Sequence, residues 1–250
     1  MFPRSASLVT GPHGVLHGPE RERGVSSRLV VIEGLIGVGK TTLCRILQKQ
    51  WNARLVLEPW EENPFLARFY EDPERFALPA QLFYMSARYA QQQALRQPDL
   101  FSPVTVADYL YAKDRLFAEM TLKGHDLALY ERIAGLLEEV APKPDLVLFL
   151  DADTEVIRAR IQERGIPAEQ VIPASYLDDL RGRYYQLWDR YTDAPVHVLR
   201  TDNVDYVRDM GARAAVVGMV EGWLGGQPVP GAPQAYGTPS MPLFDAPERA

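Results

Sequence analysis

Gly34, Gly39, Lys40 and Thr41 fall at the spacing G-x-x-x-x-G-K-[ST], and that spacing suits one task, the holding of phosphate. Glycine at Gly34, Gly37 and Gly39 lets the backbone take up positive φ with no side chain in the way, so successive N–H groups can surround phosphate oxygens. Lys40 is placed to reach the β- and γ-phosphates and Thr41 to put its hydroxyl on Mg²⁺, while Thr42 continues into a helix whose positive end adds to the cradle. Two carboxylates stand in comparable places further on. Glu58 precedes Pro59, which restricts it to extended backbone, and Asp108 closes an alternating apolar run. Each is therefore expected at the C-terminal end of a strand, the edge where open parallel sheets bind ligands. Gln81 and Arg88 are seven residues apart and share a helix face, a spacing that by itself also suits a solvated polar stripe. Arg160 and Arg164 share another face, next to a break at Gly165 and Pro167. Arginines beside such a break suit a mobile flap that carries positive charge onto a transferring phosphate.

These residues need a scaffold, and the apolar pattern supplies one. Strands are predicted at 29–32, 54–57, 103–108, 145–150 and 196–199, each followed by residues at helical spacing. Asp72-Pro73 and Asn63-Pro64 each read as a helix N-cap with proline in the first position, and Pro79 reads as the start of a longer helix reaching about Gln97. Tyr109 opens a helical stretch broken at Gly124, Thr154 is placed to cap the arginine-bearing helix, and residues 204–223 form a last amphipathic helix. Tyr176, Leu177, Leu180, Tyr184, Leu187, Trp188 and Tyr191 read as a packing stripe. Strands alternating with helices specify an α/β fold: a P-loop NTPase-like, doubly wound, five-stranded parallel sheet with helices on both faces and an arginine-bearing lid. The folded domain is expected over 28–224. A disordered leader over 1–27 and a disordered tail over 225–250, both rich in glycine and proline, flank it.

Composition narrows the function. The chain has 250 residues, enough for one sizeable core, with 46% hydrophobic and 24% charged residues. A net charge of −6 gives no support to a nucleic-acid polymer as main partner, so an anionic ligand has to be held by local positive charge. The single cysteine, Cys44, rules out an intrachain disulfide and reads as core packing. No apolar stretch is long enough to span a membrane and the N-terminus lacks a signal-peptide block, which together point to a cytoplasmic protein. His13 and His17, at i, i+4 within the leader, lack the helix that would make them a metal pair.

With the phosphate loop, Glu58-Pro59 and Asp108 in place, the chain resembles the deoxynucleoside kinase family from about Arg28 to Trp223. The specific portion is Glu58-Pro59-Trp60-Glu61-Glu62-Asn63-Pro64-Phe65-Leu66, then Phe69-Tyr70-Glu71-Asp72-Pro73, then Gln81 and Arg88. The resemblance implies transfer of a phosphoryl group from ATP, with Mg²⁺, to the 5′-hydroxyl of a deoxyribonucleoside. It assigns Glu58 as the base for the hydroxyl proton and Asp108, with Thr41, to the metal. Tyr70 and Glu169 become the pair at the 3′-hydroxyl, Arg160 and Arg164 lid arginines at the donor phosphates, and Gln81, Arg88 and Asp114 readers of the base. Thymine has no exocyclic amine for a carboxylate to accept from, so deoxyadenosine, deoxyguanosine or deoxycytidine is expected to be preferred over thymidine. The family also implies a homodimer, with a heterodimer containing a paralogue as the other form.

The chain departs from the family pattern at Tyr109, where arginine usually follows the acid, and at Ile166 and Ala168 in the lid. Lys113 is the nearby cation that could stand in for the missing arginine. Two other readings stay open: a thymidylate-kinase-like nucleotide kinase, and a weakly active regulatory nucleotide-binding subunit. No Asn-Lys-x-Asp is present to read guanine in the manner of a GTPase. Leu243 and Phe244 in the tail loosely resemble short peptides that bind replication clamps.

Overall fold

The computed structural model describes residues 28–97, 102–137, 142–226 and 235–236. The leader with His13 and His17, and most of the tail with Leu243 and Phe244, lie outside these residues. The apolar runs form five parallel strands: β1 (Arg28–Gly34), β2 (Arg54–Val56), β3 (Val104–Ala107), β4 (Leu146–Asp151) and β5 (Val196–Arg200). They lie in the order β2-β3-β1-β4-β5. The registers Val30↔Val106 and Ile32↔Leu148 place β1 between β3 and β4. Every residue of β4 is buried, as is β1 from Leu29 onward, in agreement with continuous apolar runs covered by helices on both faces. Two residues of the expected disordered tail, β6 (Ala235–Tyr236), pair antiparallel with β5 and extend the sheet.

Strand order reverses at β1, so the crevice at its C-terminal end is the ligand position of a doubly wound sheet. The phosphate loop fills that crevice and leads into α1 (Lys40–Trp51). The remaining helices are α2 (Leu66–Glu71), α3 (Pro73–Leu95), α4 (Lys113–Thr121), α5 (Gly124–Leu137), α6 (Thr154–Arg164), α7 (Ala174–Trp188) and α8 (Met210–Leu224). Cys44 is fully buried in the main core. A second apolar cluster (Ala77, Met85, Ala118, Leu122 and Tyr130) joins α3, α4 and α5 into the wall beside the crevice.

Several local expectations are corrected. The Asp72 side chain accepts from the Arg75 N–H, so the cap at Asp72-Pro73 starts α3, and Pro79 lies inside that helix instead of opening it. Proline there forfeits its own N–H bond and crowds the Arg75 carbonyl, a cost that the packed faces of α3 outweigh. Asn63 does not start a helix: its Oδ1 accepts from the Phe65 N–H at 3.0 Å, a tight side-chain turn that delays α2 to Leu66. Tyr109 and Leu110 are not helical, and Tyr111 and Ala112 turn before α4 begins at Lys113. Thr154 is the first residue of α6 and caps nothing; its hydroxyl donates to Asp178. Residues 204–209 are not helical. Asp205 Oδ1 accepts from the Val207 and Arg208 N–H groups, and Asp209 caps α8, leaving Val207 exposed.

Candidate functional site

Gly34, Gly37 and Gly39 take φ of 150°, 80° and 109° between β1 and α1, which wraps the loop around the N-terminus of α1. Close packing fixes Gly34 further, because a Cβ there would press on the Leu150 carbonyl of β4. Gly34→Ala is expected to destabilise the fold by more than about 2 kcal/mol in urea denaturation, since neither the backbone angle nor the adjacent carbonyl can yield cheaply. The Lys40 Nζ donates to the Gly34 and Leu35 carbonyls at 2.8 and 3.0 Å, which holds the ammonium over its own loop. Burial, and then Lys113, pull its pKa below the usual lysine range. Thr42 follows in the first turn of α1 and lines a second cleft with Gly39 and Arg160.

Thr41 and Asp108 meet as expected. The Thr41 hydroxyl donates to Asp108 Oδ2 at 2.7 Å, and Asp108 Oδ1 accepts from the Glu58 N–H at 2.7 Å. Burial raises the Asp108 pKa, against the hydrogen bonds from Glu58 and Thr41. A hydroxyl and a carboxylate in contact, beside a phosphate loop, are the hard oxygen donors that Mg²⁺ takes together with phosphate oxygens. The residues present therefore fit that ion.

Glu58, after β2, lines a cavity together with Gly34, Lys40, Thr41, Asp108, Lys113, Tyr70, Gln81, Tyr84, Arg88, Arg164 and Glu169. Gln81, Tyr84 and Arg88 share the cavity face of α3, whereas Met85 turns into the second apolar cluster. The polar pair is thus buried, not a solvated stripe. Arg88 ion-pairs with both Glu58 and Asp114 and lies over the Tyr84 ring, 5.1 Å from its centroid. Asp114 sits behind Arg88 and is not part of the cavity wall. Lys113 Nζ lies 3.2 Å from Glu58 Oε2 and 3.5 Å from Glu33 Oε1. Burial would raise the pKa of Glu58, but Arg88 and Lys113 outweigh it and lower the pKa to about 2.

The two lid arginines both line the second, larger cleft but have different partners. Arg164 donates to Glu169 at 2.7 Å and lies 5.3 Å from the Trp60 ring centroid, where it also lines the Glu58 cavity. Arg160 donates to Thr201 Oγ1 at 2.9 Å, to the Thr201 carbonyl at 2.6 Å and to the Val38 carbonyl at 3.3 Å. It faces the second, larger cleft with Gly37, Thr42 and Tyr206. Burial raises the Glu169 pKa against the pull of Arg164, and burial likewise raises Tyr70 above the ordinary tyrosine range.

Sequence reading missed Glu33. It is fully buried and accepts from the Gly34 and Leu110 N–H groups at 3.0 and 2.7 Å and from the Tyr184 hydroxyl at 2.9 Å. Its signal was present: a single acid that ends an apolar strand immediately before the first loop glycine. Tyr176 and Tyr184 of the packing stripe also line the Glu58 cavity, and Tyr206 reaches the Gly39 carbonyl at 3.3 Å. Tyr109, which replaces the expected arginine, is buried, with its hydroxyl bonded to Gln92 at 3.1 Å.

A sequence model described as Deoxynucleoside kinase matches residues 30–224. A deoxyguanosine kinase of Bacillus subtilis (strain 168) is 34% identical over 184 residues, covering 71% of this chain and 88% of that protein. A deoxyadenosine/deoxycytidine kinase of the same organism is 27% identical over 199 residues, covering 77% and 91%. The solved structure of deoxyadenosine kinase from M. mycoides with bound dATP superposes with a TM-score of 0.67 at 21% identity, over 79% of this chain and 99% of that one, which is a likeness of fold. Among the described residues no helix is long and apolar enough to cross a membrane.

Proposed function

Because the chain belongs to the deoxynucleoside kinase family, we propose that it transfers the γ-phosphoryl group of ATP to the 5′-hydroxyl of a deoxyribonucleoside for salvage, preferring purine deoxynucleosides or deoxycytidine to thymidine. The observation that carries this reading is Glu58 standing between two sets of groups in one cavity. Phosphate-loop residues with Thr41 and Asp108, and Gln81, Arg88, Tyr70 and Glu169, line that cavity, and Glu58 joins the two sets through its N–H to Asp108 and its carboxylate to Arg88. Glu58 orients the 5′-hydroxyl and takes its proton as the oxygen bonds to the γ-phosphorus. The bond from phosphorus to the β-phosphate oxygen breaks, and its electron pair leaves with ADP. Mg²⁺, held by Thr41 and Asp108, supplies neutralisation of phosphate charge when bound. Lys40 and the amide groups of the loop bind the β- and γ-phosphates, Arg164 approaches them from α6, and Arg160 anchors α6 to the loop. Tyr70 and Glu169 bind the 3′-hydroxyl.

Arg88 meets the base as donor, and Asp114, which stands behind it, has to turn into the cavity to accept from an exocyclic amine. At about 130 Å³ the acceptor cavity is smaller than the ~300 Å³ at which small-molecule sites begin. A base therefore enters only as side chains of the cavity wall move aside. The homodimer belongs to the same reading. The deciding measurement is kcat/KM for the four deoxynucleosides with ATP and Mg²⁺, with dTMP as a fifth acceptor. Thymidine is expected to be the poorest nucleoside, by about tenfold or more. Thymidine as the best of the four would refute the assignment of Arg88 and Asp114, and preference for dTMP would make the protein a nucleotide kinase.

A further inference from the structure

We propose that Thr121, the last residue of α4, fixes which way round the Gln81 carboxamide faces the acceptor, and so sets the choice of base. The inference rests on the reading of the cavity as a nucleoside site. Gln81 is only 5% exposed and forms part of the cavity wall. Its Nε2 donates to Thr121 Oγ1 at 3.2 Å, and Thr121 Oγ1 in turn donates to the Phe117 carbonyl one helical turn back at 2.8 Å. A hydroxyl has one proton. With that proton on the Phe117 carbonyl, Thr121 Oγ1 is left as an acceptor only, and what meets it has to be the amide nitrogen, because an amide oxygen would bring two acceptors together. The flip of Gln81 is thereby decided outside the cavity.

The consequence for recognition is specific. One Gln81 N–H is used on Thr121, so the carboxamide offers a base one acceptor, Oε1, and one donor in a fixed order. Bases fall into two classes against such an edge. Adenine and cytosine place an exocyclic amine beside a bare ring nitrogen; guanine and thymine place a carbonyl beside a ring N–H. A carboxamide that turns over exchanges donor for acceptor and serves the other class equally well. Removing the hydroxyl of Thr121 frees the amide to turn and leaves a buried N–H without a partner, which weakens binding as well as discrimination. Thr121 is a positioning residue: it acts on the base through Gln81.

The test is a kcat/KM panel of the four deoxynucleosides, with ATP and Mg²⁺, on wild type, Thr121→Val, Thr121→Ser, Gln81→Ala and the double variant Gln81→Ala/Thr121→Val. Thr121→Val is expected to narrow the ratio between deoxyadenosine and deoxyguanosine by about tenfold, mainly through KM, with saturated kcat within about threefold of wild type. Thr121→Ser, which keeps the hydroxyl, is expected to keep the wild-type ratio. In the Gln81→Ala background the valine substitution should change nothing further. Thr121→Ala removes the same hydroxyl and is read the same way should the valine variant fail to fold. An unchanged ratio in Thr121→Val, or an equal change with and without Gln81, would overturn the proposal. A wild-type enzyme inactive on all four nucleosides would instead overturn the function on which it rests.

Discussion

Lys113→Ala is expected to lower kcat about 100-fold while KM for the nucleoside moves less than about threefold. The Lys113 ammonium is buried, lines the cavity, and is shared between Glu58 at 3.2 Å and Glu33 at 3.5 Å. Charge builds on the transferring group and the 5′-oxygen during transfer, and a fixed ammonium beside Glu58 meets it at no cost in reorganisation. Tyr109 cannot do this, since its phenol bears no positive charge and is tied to Gln92. Arg88 is the group proposed to meet the base. The fold is expected to survive the loss of Lys113, because Glu33 keeps the Gly34 N–H, the Leu110 N–H and the Tyr184 hydroxyl as donors. Lys113→Arg, which preserves the charge, should recover a measurable part of the rate, and steady-state kinetics on the two variants separates charge from packing. A Lys113→Ala enzyme with wild-type kcat would show that the cation plays no part in transfer.

The same residues show how far local sequence carries an inference and where it stops. The phosphate loop was legible because glycine spacing, strand and helix lie within a short stretch, and backbone conformation is a local property. Glu58 and Asp108 were legible because strand ends are marked locally, by a proline and by the end of alternation. Tertiary partners were not. Arg160 and Arg164 share a helical face by spacing, yet one is bound to Thr201 and the other to Glu169. Helical periodicity likewise put Tyr184 on the inner face of α7 without saying that its hydroxyl meets Glu33. The strand order that brings Asp108 beside Thr41 comes from pairing of β1 with β3 across more than seventy intervening positions, which no short window can report. Where the reading of 204–223 as one helix failed, the competing signals were local after all: Asp205 and Asp209 both take backbone N–H groups with their side chains and delay the start of the helix to Met210.

Glu58→Gln is expected to lower kcat about 1,000-fold, the size of effect that a positioned base provides. The amide can still contact the 5′-hydroxyl but cannot take its proton. The two cations that lose a charged partner each retain another, Arg88 on Asp114 and Lys113 on Glu33, so the variant should fold and bind nucleoside. Its stability should nevertheless differ from wild type in a pH-dependent way. Burial opposes ionisation of Glu58, but Arg88 and Lys113 lower its pKa from 4.5 to about 2 in the folded protein. A carboxylate whose folded pKa is depressed contributes stability that is complete above its unfolded value and is lost as pH falls toward the folded one. The stability gap between wild type and Glu58→Gln, measured by urea denaturation, should therefore be constant above about pH 5 and shrink as pH falls from 4.5 toward 2. A gap that widened in acid would mean that the carboxylate is held protonated in the folded state. Glu58 would then be unable to receive the proton, and the role of base would have to pass to another group in the cavity.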